Sequence, residues 1–290
     1  MATRSGLNTG APPAGEYELS DADFERVREL IHRHAGISLS PAKRQMVYSR
    51  LIRRLRTLGL QDFGEYLGLL ETDDNGERQA FTNALTTNLT AFFREPHHFP
   101  ILVEHARRLN RRPLKIWSSA CSTGEEPYSI AMAMAEAFGV DRDAVRILAS
   151  DVDTSVLEKA RFGAYPTERI GKVPEDQVRK FFLRGTGGRE GMVKARPELR
   201  DMITFRQINL LEPNWGVRGP LDAIFCRNVM IYFDRKTQYE LLSRFAAVLA
   251  PDGLLFAGHS ESLQHAADLF SLRGKTVYRL AGAKAGSVDD

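Results

Sequence analysis

The chain has 290 residues, of which 43% are hydrophobic and 27% are charged, and this suits a globular protein of one large or two modest domains. Lys and Arg outnumber Asp and Glu by only 40 to 37, so charge alone points weakly to a polyanionic partner. No apolar run approaches the roughly 18 residues of a membrane span, and the N-terminus lacks a signal-peptide core. We therefore expect a cytoplasmic protein.

The cysteines and histidines indicate neither a disulfide framework nor a metal centre. Cys121 and Cys226 adjoin apolar, strand-like segments, so we expect both to be buried and reduced. His97, His98 and His259 show no spacing typical of a metal site. We expect the activity of this protein to need no metal.

The first third of the chain is predicted to be a small helical domain, residues 17–85, because its apolar residues follow helical spacing. One helix has Ser20 as its N-cap and stops at Gly36; the next has Ser40 as its N-cap, Pro41 at its first position and Gly59 at its end. Further helices are expected over 63–70 and 77–85. Residues 1–16, rich in Ala, Gly, Pro and Thr, are predicted to be a disordered tail, and residues 284–290 are assigned to a second tail.

The second predicted helix carries a basic stripe. Its apolar side is formed by Val47, Leu51, Leu55 and Leu58. At 100° per residue, basic side chains collect on a different side, and no acidic residue occurs between Pro41 and Leu60. The basic stripe consists of Lys43, Arg50, Arg53 and Arg54. Such a face is commonly just solvated; the alternative is that it binds an acidic partner.

From Leu114 onward, short apolar runs alternate with helical stretches, which is typical of a parallel sheet built from βαβ units. The predicted strands are Leu114–Ser118, Val145–Ser150, Ile203–Gln207, Ala223–Cys226 and Leu254–Gly258. The predicted helices between them are Glu126–Phe138, Ser155–Phe162 and Arg235–Leu249. Residues 270–272 and 276–280 flank Gly274 like an antiparallel hairpin at the sheet edge. Residues 163–200, which include the segment GTGGREG, interrupt the alternation and are interpreted as an inserted subdomain of short antiparallel strands.

Polar residues follow the first two strands, at the edge where an open α/β sheet binds its ligands. The first strand runs into SSACSTGEEPYS, in which Gly124 permits a tight turn and Glu125 opens the next helix. A carboxylate there disfavours a pyrophosphate and suits a cationic or hydroxyl-bearing ligand such as S-adenosylmethionine. Asp151 ends the second strand, where an acid can accept hydrogen bonds from a ribose. Asp153 is interpreted as a helix cap.

The fourth strand leads into CRNVMIYFD, which places Arg227, Asn228 and Tyr232 near the same edge. Taken alone, Asn228 could cap a short helix and Tyr232 could pack in the core with its hydroxyl at the surface. Together with Glu125 and Asp151, these side chains favour a binding site for a nucleoside without phosphates.

Five segments make the pattern specific: TTNLTAFFRE, CSTGEEPYSIA, ASDVDTSVLEKA, FCRNVMIYFD and PDGLLFAGHSE. They resemble the characteristic blocks of the chemotaxis-receptor glutamate O-methyltransferase family, CheR, and occur in order across residues 86–261. The N-terminal helices and the GTGGREG insertion also resemble those of the family. The resemblance implies an α/β fold: a Rossmann-like S-adenosylmethionine-dependent methyltransferase sheet over 86–283, an N-terminal all-helical domain and a small antiparallel β insertion.

The resemblance also implies roles for individual residues. Cofactor contacts are implied for Asn88, Thr90, Arg94, Glu125, Asp151, Asn209, Leu210, Arg227 and Asn228. Arg94 and Tyr232 are similar to residues near the transferred methyl group. The implied reaction is methylation of glutamates on chemoreceptor cytoplasmic helices, with S-adenosylhomocysteine as the product. The basic stripe would bind those helices, and the insertion could bind a receptor's C-terminal peptide.

Three other functions remain open at this stage. An NAD-dependent oxidoreductase would share the sheet and Asp151 but should carry a glycine-rich turn where this chain has SSACSTGEE. A nucleic-acid methyltransferase of the amino-methylating kind commonly has an NPPY-like turn where this chain has CRNVMIYF. A cofactor-sensing module would bind the ligand without transferring a methyl group.

Overall fold

The computed structural model describes residues 17–72, 76–109 and 111–282. The predicted tails, 1–16 and 284–290, lie outside these residues. The chain forms two compact units that divide between Thr86 and Thr87. Within the described residues, no helix is both long and apolar enough to cross a membrane.

The first unit is helical. Its α-helices are α1 (Asp21–Ala35), α2 (Arg44–Leu58), α3 (Phe63–Thr72) and α4 (Glu77–Leu85). Ser20 caps α1 by accepting a hydrogen bond from the Asp23 N–H, and the left-handed Gly36 ends it, as predicted. The start of α2 differs from the prediction, because Pro41–Lys43 form a 3₁₀ turn in which the Lys43 N–H bonds to the Ser40 carbonyl. The predicted apolar side was also partly wrong: Leu58, beside the terminal glycine, is 39% exposed, and Ile52 is buried.

The second unit is an α/β fold. Its helices are α5 (His98–Leu109), α6 (Glu125–Phe138), α7 (Thr154–Phe162), α8 (Glu175–Phe181), α9 (Pro197–Asp201) and α10 (Arg235–Val248). Its strands are β1 (Leu114–Ser118), β2 (Val145–Asp151), β3 (Ala164–Pro166), β4 (Phe182–Arg184), β5 (Met192–Ala195), β6 (Ile203–Gln207), β7 (Leu221–Cys226), β8 (Leu249–Ala257), β9 (Phe270–Gly274) and β10 (Val277–Leu280). Cys121 and Cys226 are buried free thiols, as expected.

Seven strands form one sheet in the order β6-β2-β1-β7-β8-β10-β9. The first five are parallel neighbours, and β9 and β10 form the predicted antiparallel hairpin at the edge. Strand β8 begins earlier than predicted. Its pairing shifts between Leu221 and Ala223 of β7, so the sequence PDG, a turn signal by composition, lies in a bulge inside the strand.

The insertion forms its own antiparallel sheet in the order β3-β5-β4, as predicted for residues 163–200. It also contains helices α8 and α9, which the sequence reading missed because both are short. Tyr165 of β3 is buried and donates its hydroxyl to the Thr123 carbonyl, which attaches the insertion to the turn after β1.

Candidate functional site

The candidate site lies along the carboxyl edge of five parallel strands. Because β6, β2, β1, β7 and β8 are neighbours in the sheet, the segments that follow them emerge side by side. This topology places the successors of each strand, from Asn209 after β6 to Gly258 after β8, along one edge. The side chains singled out from the sequence of this unit come from these segments and from residues 88–95.

The turn after β1 requires glycine at position 124. Gly124 has φ of +100°, a left-handed conformation that other residues adopt at a cost. A Cβ at this position would lie 2.7 Å from the Tyr165 hydroxyl and 3.0 Å from Ala160 Cβ. Gly124 is the N-cap of α6, so this closely packed glycine directly precedes Glu125, the first residue of the helix.

Glu125 is a buried carboxylate, with its side chain only 1% exposed. Thr123 Oγ1 donates to Oε2 at 2.6 Å. Oε1 lies 2.9 Å from an Arg169 nitrogen in the insertion, but the hydrogen-bond geometry is not met, so this oxygen has charge compensation without a directed donor. A buried acceptor of this kind fits the ammonium group of an amino-acid ligand.

Asp151 is held by the backbone of two turns. Its Oδ2 accepts the Ser122 N–H at 2.8 Å, and its Oδ1 accepts the Asp153 N–H at 3.0 Å. Burial nevertheless raises the pKa of Asp151 to about 6, because the backbone hydrogen bonds offset only part of the cost of removing a carboxylate from water. Asp153 caps α7 through the Ser155 N–H at 2.9 Å, as predicted, and also accepts the Asn88 amide at 2.9 Å.

Residues 88–95 are attached to this edge at several points. The Ser122 hydroxyl donates to the Asn88 carbonyl at 3.3 Å, and the Phe93 N–H donates to Ser129 Oγ at 2.9 Å. Asn88, Thr90 and Arg94 are half-buried. The Arg94 guanidinium donates to the Leu89 carbonyl at 2.9 Å. Residues 88–95, which include these three predicted residues, are therefore attached to the turn after β1 and to the first turns of α6.

Arg227 is a buried cation held by two carboxylates that the sequence reading did not single out. Its side chain is 2% exposed; one nitrogen lies 3.2 Å from Glu126 Oε2, and the other lies 3.5 Å from Glu95 Oε2 and donates to the Arg94 carbonyl. Burial raises the pKa of Glu126; burial also acts to raise the pKa of Glu95, but the Arg227 charge and bonds from His259 lower it. The motifs FFRE and TGEE contained both acids, but only the fold pairs them with Arg227.

Glu95, His97 and His98 can bring one ligand atom each within 4.8 Å of one another. His98 is fully buried, its Nε2 lies 3.0 Å from the Lys275 carbonyl, and burial lowers its pKa to about 4. The Arg227 guanidinium lies beside Glu95 Oε2 and would repel a divalent cation. This geometry favours a hydrogen-bonded network over a metal centre, and independence from metal stays a prediction.

Asn209 and Leu210 follow β6. Asn209 is half-buried, and its Oδ1 accepts the Leu211 N–H at 3.0 Å. Leu210 is buried, and its carbonyl accepts bonds from Trp215 at 3.2 Å and Arg244 at 2.7 Å. Asn209 also lines an open depression with Arg206 and Trp215. These hydrogen bonds hold the segment after β6 in place next to Asp151, whose carbonyl accepts the Ile208 N–H.

The loop after β7 is organised by Glu261. This acid ends the segment PDGLLFAGHSE, and the sequence alone predicted no role for it. Its carboxylate accepts the N–H groups of Asn228, Val229, Met230 and Gly258. Asn228 has φ of +59°. Tyr232 ends a 3₁₀ turn and is half-buried against the core.

The basic stripe of the helical unit is divided by its internal contacts. Arg50 donates to the carbonyls of Ala84, Leu85 and Thr86 at 2.7–3.3 Å. Arg54 pairs at 2.6 Å with Glu77, a buried acid of α4 that also accepts the Tyr66 hydroxyl. Lys43 and Arg53 are exposed. The sequence showed that α2 itself contains no acidic residue, but it could not show that Glu77 of α4 pairs with Arg54.

Comparison with known proteins shows which family the two units resemble. Residues 88–279 match the family described as "CheR methyltransferase, SAM binding domain", and residues 22–86 match "CheR methyltransferase, all-alpha domain". The chain is 57% identical over 268 residues to a chemotaxis protein methyltransferase of Salmonella typhimurium, covering 92% of this chain and 93% of that protein. It is 56% identical over 264 residues to that of Escherichia coli, covering 91% and 92%. Chemotaxis protein methyltransferase 2 of Pseudomonas aeruginosa is 56% identical over 275 residues, covering 93% and 98%.

The raised pKa of Asp151 predicts a pH-dependent affinity for the cofactor product S-adenosylhomocysteine. Ribose hydroxyls donate to an ionised carboxylate, so affinity should be lost as pH falls through about 6. Titration calorimetry at pH 7.5 and pH 5 should show weakening of about tenfold, the effect of protonating most of one such group.

The matched variant is Asp151→Asn, which should bind more weakly at pH 7.5 and lose most of the pH dependence. The assignment is wrong if the folded variant keeps the wild-type pH profile.

Proposed function

Because the chain belongs to the CheR methyltransferase family, we propose that it methylates side-chain carboxylates of glutamates on the cytoplasmic helices of chemoreceptors. The products are glutamate methyl esters and S-adenosylhomocysteine, and the reaction serves adaptation in chemotaxis. The observation that carries this proposal is the pair of buried carboxylates, Glu125 and Asp151, at an edge suited to a nucleoside without phosphates.

Each end of the cofactor has complementary groups in the proposal. Glu125 binds the ammonium group, and the neighbouring Arg169 makes the pair of charges complementary to a zwitterionic amino acid. Asp151 accepts hydrogen bonds from the ribose. The adenine lies against Asn209 and Leu210, and the pocket is completed by Asn88, Thr90, Arg227 and Asn228. Since the Arg227 guanidinium is bound by Glu95 and Glu126, its role is to hold the pocket wall.

The chemistry needs orientation more than acid–base catalysis. The bound sulfonium supplies an activated methyl group: a carboxylate oxygen forms the new bond to carbon, and the carbon–sulfur electron pair leaves with sulfur. A glutamate titrates near 4.3, so the nucleophile is already ionised near neutral pH and no general base is required. Orientation of this kind can contribute roughly 7–11 kcal/mol to lowering a barrier.

Arg94 and Tyr232 are the proposed residues near the reacting atoms. The reaction consumes charge, because an anion and a cation become neutral, so a group that strongly stabilised the substrate carboxylate would slow the step. Arg94 therefore orients the carboxylate more than it neutralises it. Tyr232 contributes through its hydroxyl at the rim of the site.

The direct test uses methyl-labelled S-adenosylmethionine and membranes that contain chemoreceptors. Carboxyl methyl esters release labelled methanol in alkali, whereas N-methyl and C-methyl groups do not. We expect alkali-labile label on the receptor. Alkali-stable label would contradict glutamate methylation, and well-folded protein that shows no calorimetric binding of S-adenosylhomocysteine would contradict the proposed site.

Arg94→Ala should impair turnover more than cofactor affinity, with a fall in kcat of tenfold or more, because a misplaced carboxylate loses alignment.

Tyr232→Phe should keep the fold and lower kcat about tenfold, the effect of one lost hydrogen bond in the transition state. Rapid-mixing kinetics and calorimetry of the same samples separate the two quantities. Equal losses in affinity and turnover would make Arg94 merely a binding residue, and an unchanged rate would remove Tyr232 from the site.

Substrate docking by the basic stripe of the helical unit is part of the proposal, with Lys43 and Arg53 as the stripe residues that face solvent. The methylation helices of the receptor are acidic in this proposal, so exposed cations attract them through a salt-sensitive interaction. Arg50 and Arg54 support the helix from inside the unit. The insertion can add a second contact, because β3 and β4 are the outer strands of its sheet and can pair with an extended receptor peptide.

The double variant Lys43→Glu, Arg53→Glu should raise the KM for receptor several-fold at low salt, with kcat and cofactor affinity unchanged. The salt dependence of kcat/KM should also weaken. Arg33→Glu, Arg56→Glu is the control, since it makes the same charge change at two exposed positions of the helical unit outside the stripe. If both variants behave alike, the effect is one of net charge and the docking proposal fails.

A further inference from the structure

Glu261 has an unusual set of partners for a buried carboxylate. The residue is 6% exposed and follows β8, whereas Glu125 opens α6 and Asp151 ends β2. Oε2 accepts the N–H groups of Asn228 at 2.9 Å and Gly258 at 2.6 Å; Oε1 accepts those of Val229 at 3.0 Å and Met230 at 2.9 Å.

These four bonds decide what Glu261 can do. A carboxylate offers about four lone-pair sites, and here each accepts one backbone N–H. No acceptor site remains for a substrate or for a proton in transit, so Glu261 is not a catalytic residue. Its partners are the first three residues after Arg227 and the first residue after β8, which ties the loop after β7 to the end of the neighbouring strand.

The loop that Glu261 holds is not in a relaxed conformation by itself. Asn228 adopts φ of +59°, in the left-handed region that asparagine enters more readily than most residues but that only glycine adopts freely. The next residues form the 3₁₀ turn that ends at Tyr232. Without Glu261, the N–H groups of Asn228, Val229 and Met230 would lose these acceptors, and an unpaired N–H that is buried, as that of Met230 is, destabilises the loop.

Position 258 must be glycine for this arrangement. A Cβ there would lie 2.4 Å from Asn228 Nδ2, 2.8 Å from Glu261 Oε2 and 2.9 Å from the Asn228 nitrogen. All three atoms belong to the same contact. A methyl group at position 258 would therefore push Glu261 and Asn228 apart without changing either side chain.

We infer that Glu261 is a positioning residue for methyl transfer: its carboxylate holds the Asn228–Tyr232 loop in the geometry that places Asn228 against the cofactor and Tyr232 at the reacting atoms. This inference rests on the proposed function of Asn228 and Tyr232. Glu125 at the start of α6 and Asp151 at the end of β2 lie outside this loop, so loss of Glu261 should disturb alignment at the loop more than attachment of the cofactor.

The test compares Glu261→Ala and Glu261→Gln with wild-type protein by circular dichroism, calorimetric affinity for S-adenosylhomocysteine, and kcat and KM for receptor methylation. Glu261→Gln should replace two accepted hydrogen bonds by donor–donor contacts. In both variants kcat should fall about a hundredfold, the effect of misplacing reacting groups by about 1 Å. The Kd of S-adenosylhomocysteine should rise only several-fold.

Rescue of kcat by acetate separates a positioning role of Glu261 from a merely structural one. In Glu261→Ala, a small carboxylate can enter the space left by the side chain and accept the same four N–H groups. We expect sodium acetate to restore part of kcat, whereas sodium chloride at equal ionic strength should not. Asp62→Ala is the control, because Asp62 also accepts a backbone N–H, at 2.8 Å from Glu65, but lies in the helical unit. Neither it nor the wild type should respond to acetate.

The possible results separate failure of the proposed function from failure of the inference about Glu261. Wild-type protein that neither binds S-adenosylhomocysteine nor methylates receptors overturns the proposed function itself. Active wild type with folded Glu261 variants of unchanged kcat, or with equal losses in kcat and affinity and no acetate effect, overturns the inference alone. If Glu261→Ala does not fold, Glu261→Gln and Gly258→Ala carry the test, and a normal kcat in either folded variant is a negative result.

Discussion

The parallel pairing of five strands is the constraint on which the site depends. In the order β6-β2-β1-β7-β8, every strand ends at the same edge, so acids and amides far apart in the chain become neighbours. Gly124 and Gly258 serve this arrangement in the same way, because each lets a turn approach within a distance that a Cβ would block.

Crowding carboxylates at one buried edge is costly, and the protein offsets that cost with few cations. Arg227 serves Glu95 and Glu126, Arg169 serves Glu125, and backbone N–H groups serve Asp151 and Glu261. Fixed backbone dipoles hold a carboxylate in place without adding a mobile side chain. This distribution leaves the edge rich in acceptors, which suits a cofactor that brings an ammonium group, a sulfonium and a ribose diol.

The helical unit also contains a buried acid, Glu77, but there the acid is held by side chains. Arg54 is part of a buried contact with Glu77 and Tyr66, while Arg50 satisfies carbonyl groups at the end of α4. Two arginines of the stripe thus stabilise the unit, and Lys43 and Arg53 remain exposed. A stripe that looks uniform by helical spacing is thus divided between two residues with internal partners and two exposed residues.

The sequence by itself determined most of the helices and strands, the sheet edge that carries the candidate site, and the family. Apolar periodicity, Ser20 and Gly36 at helix ends, and polar residues after strands are local signals, and local signals survive in a single sequence. The same signals led to Glu125, Asp151 and Asn228. Local chemistry also misled: Pro41 suggested the start of an α-helix where a 3₁₀ turn forms, and the strand predicted from Leu254 missed the bulged first half of β8.

Only the tertiary structure decided which groups pair across long stretches of chain. Glu77 with Arg54, Glu95 with Arg227, and Glu261 with the N–H groups after β7 are separated by 23, 132 and about 33 residues, and no periodicity relates them. The physical reason is that a buried charge takes whichever partner the packing brings near, and packing is a property of the whole sheet. Residue types therefore predicted a site, but the intramolecular partners of its acids could be read only from the fold.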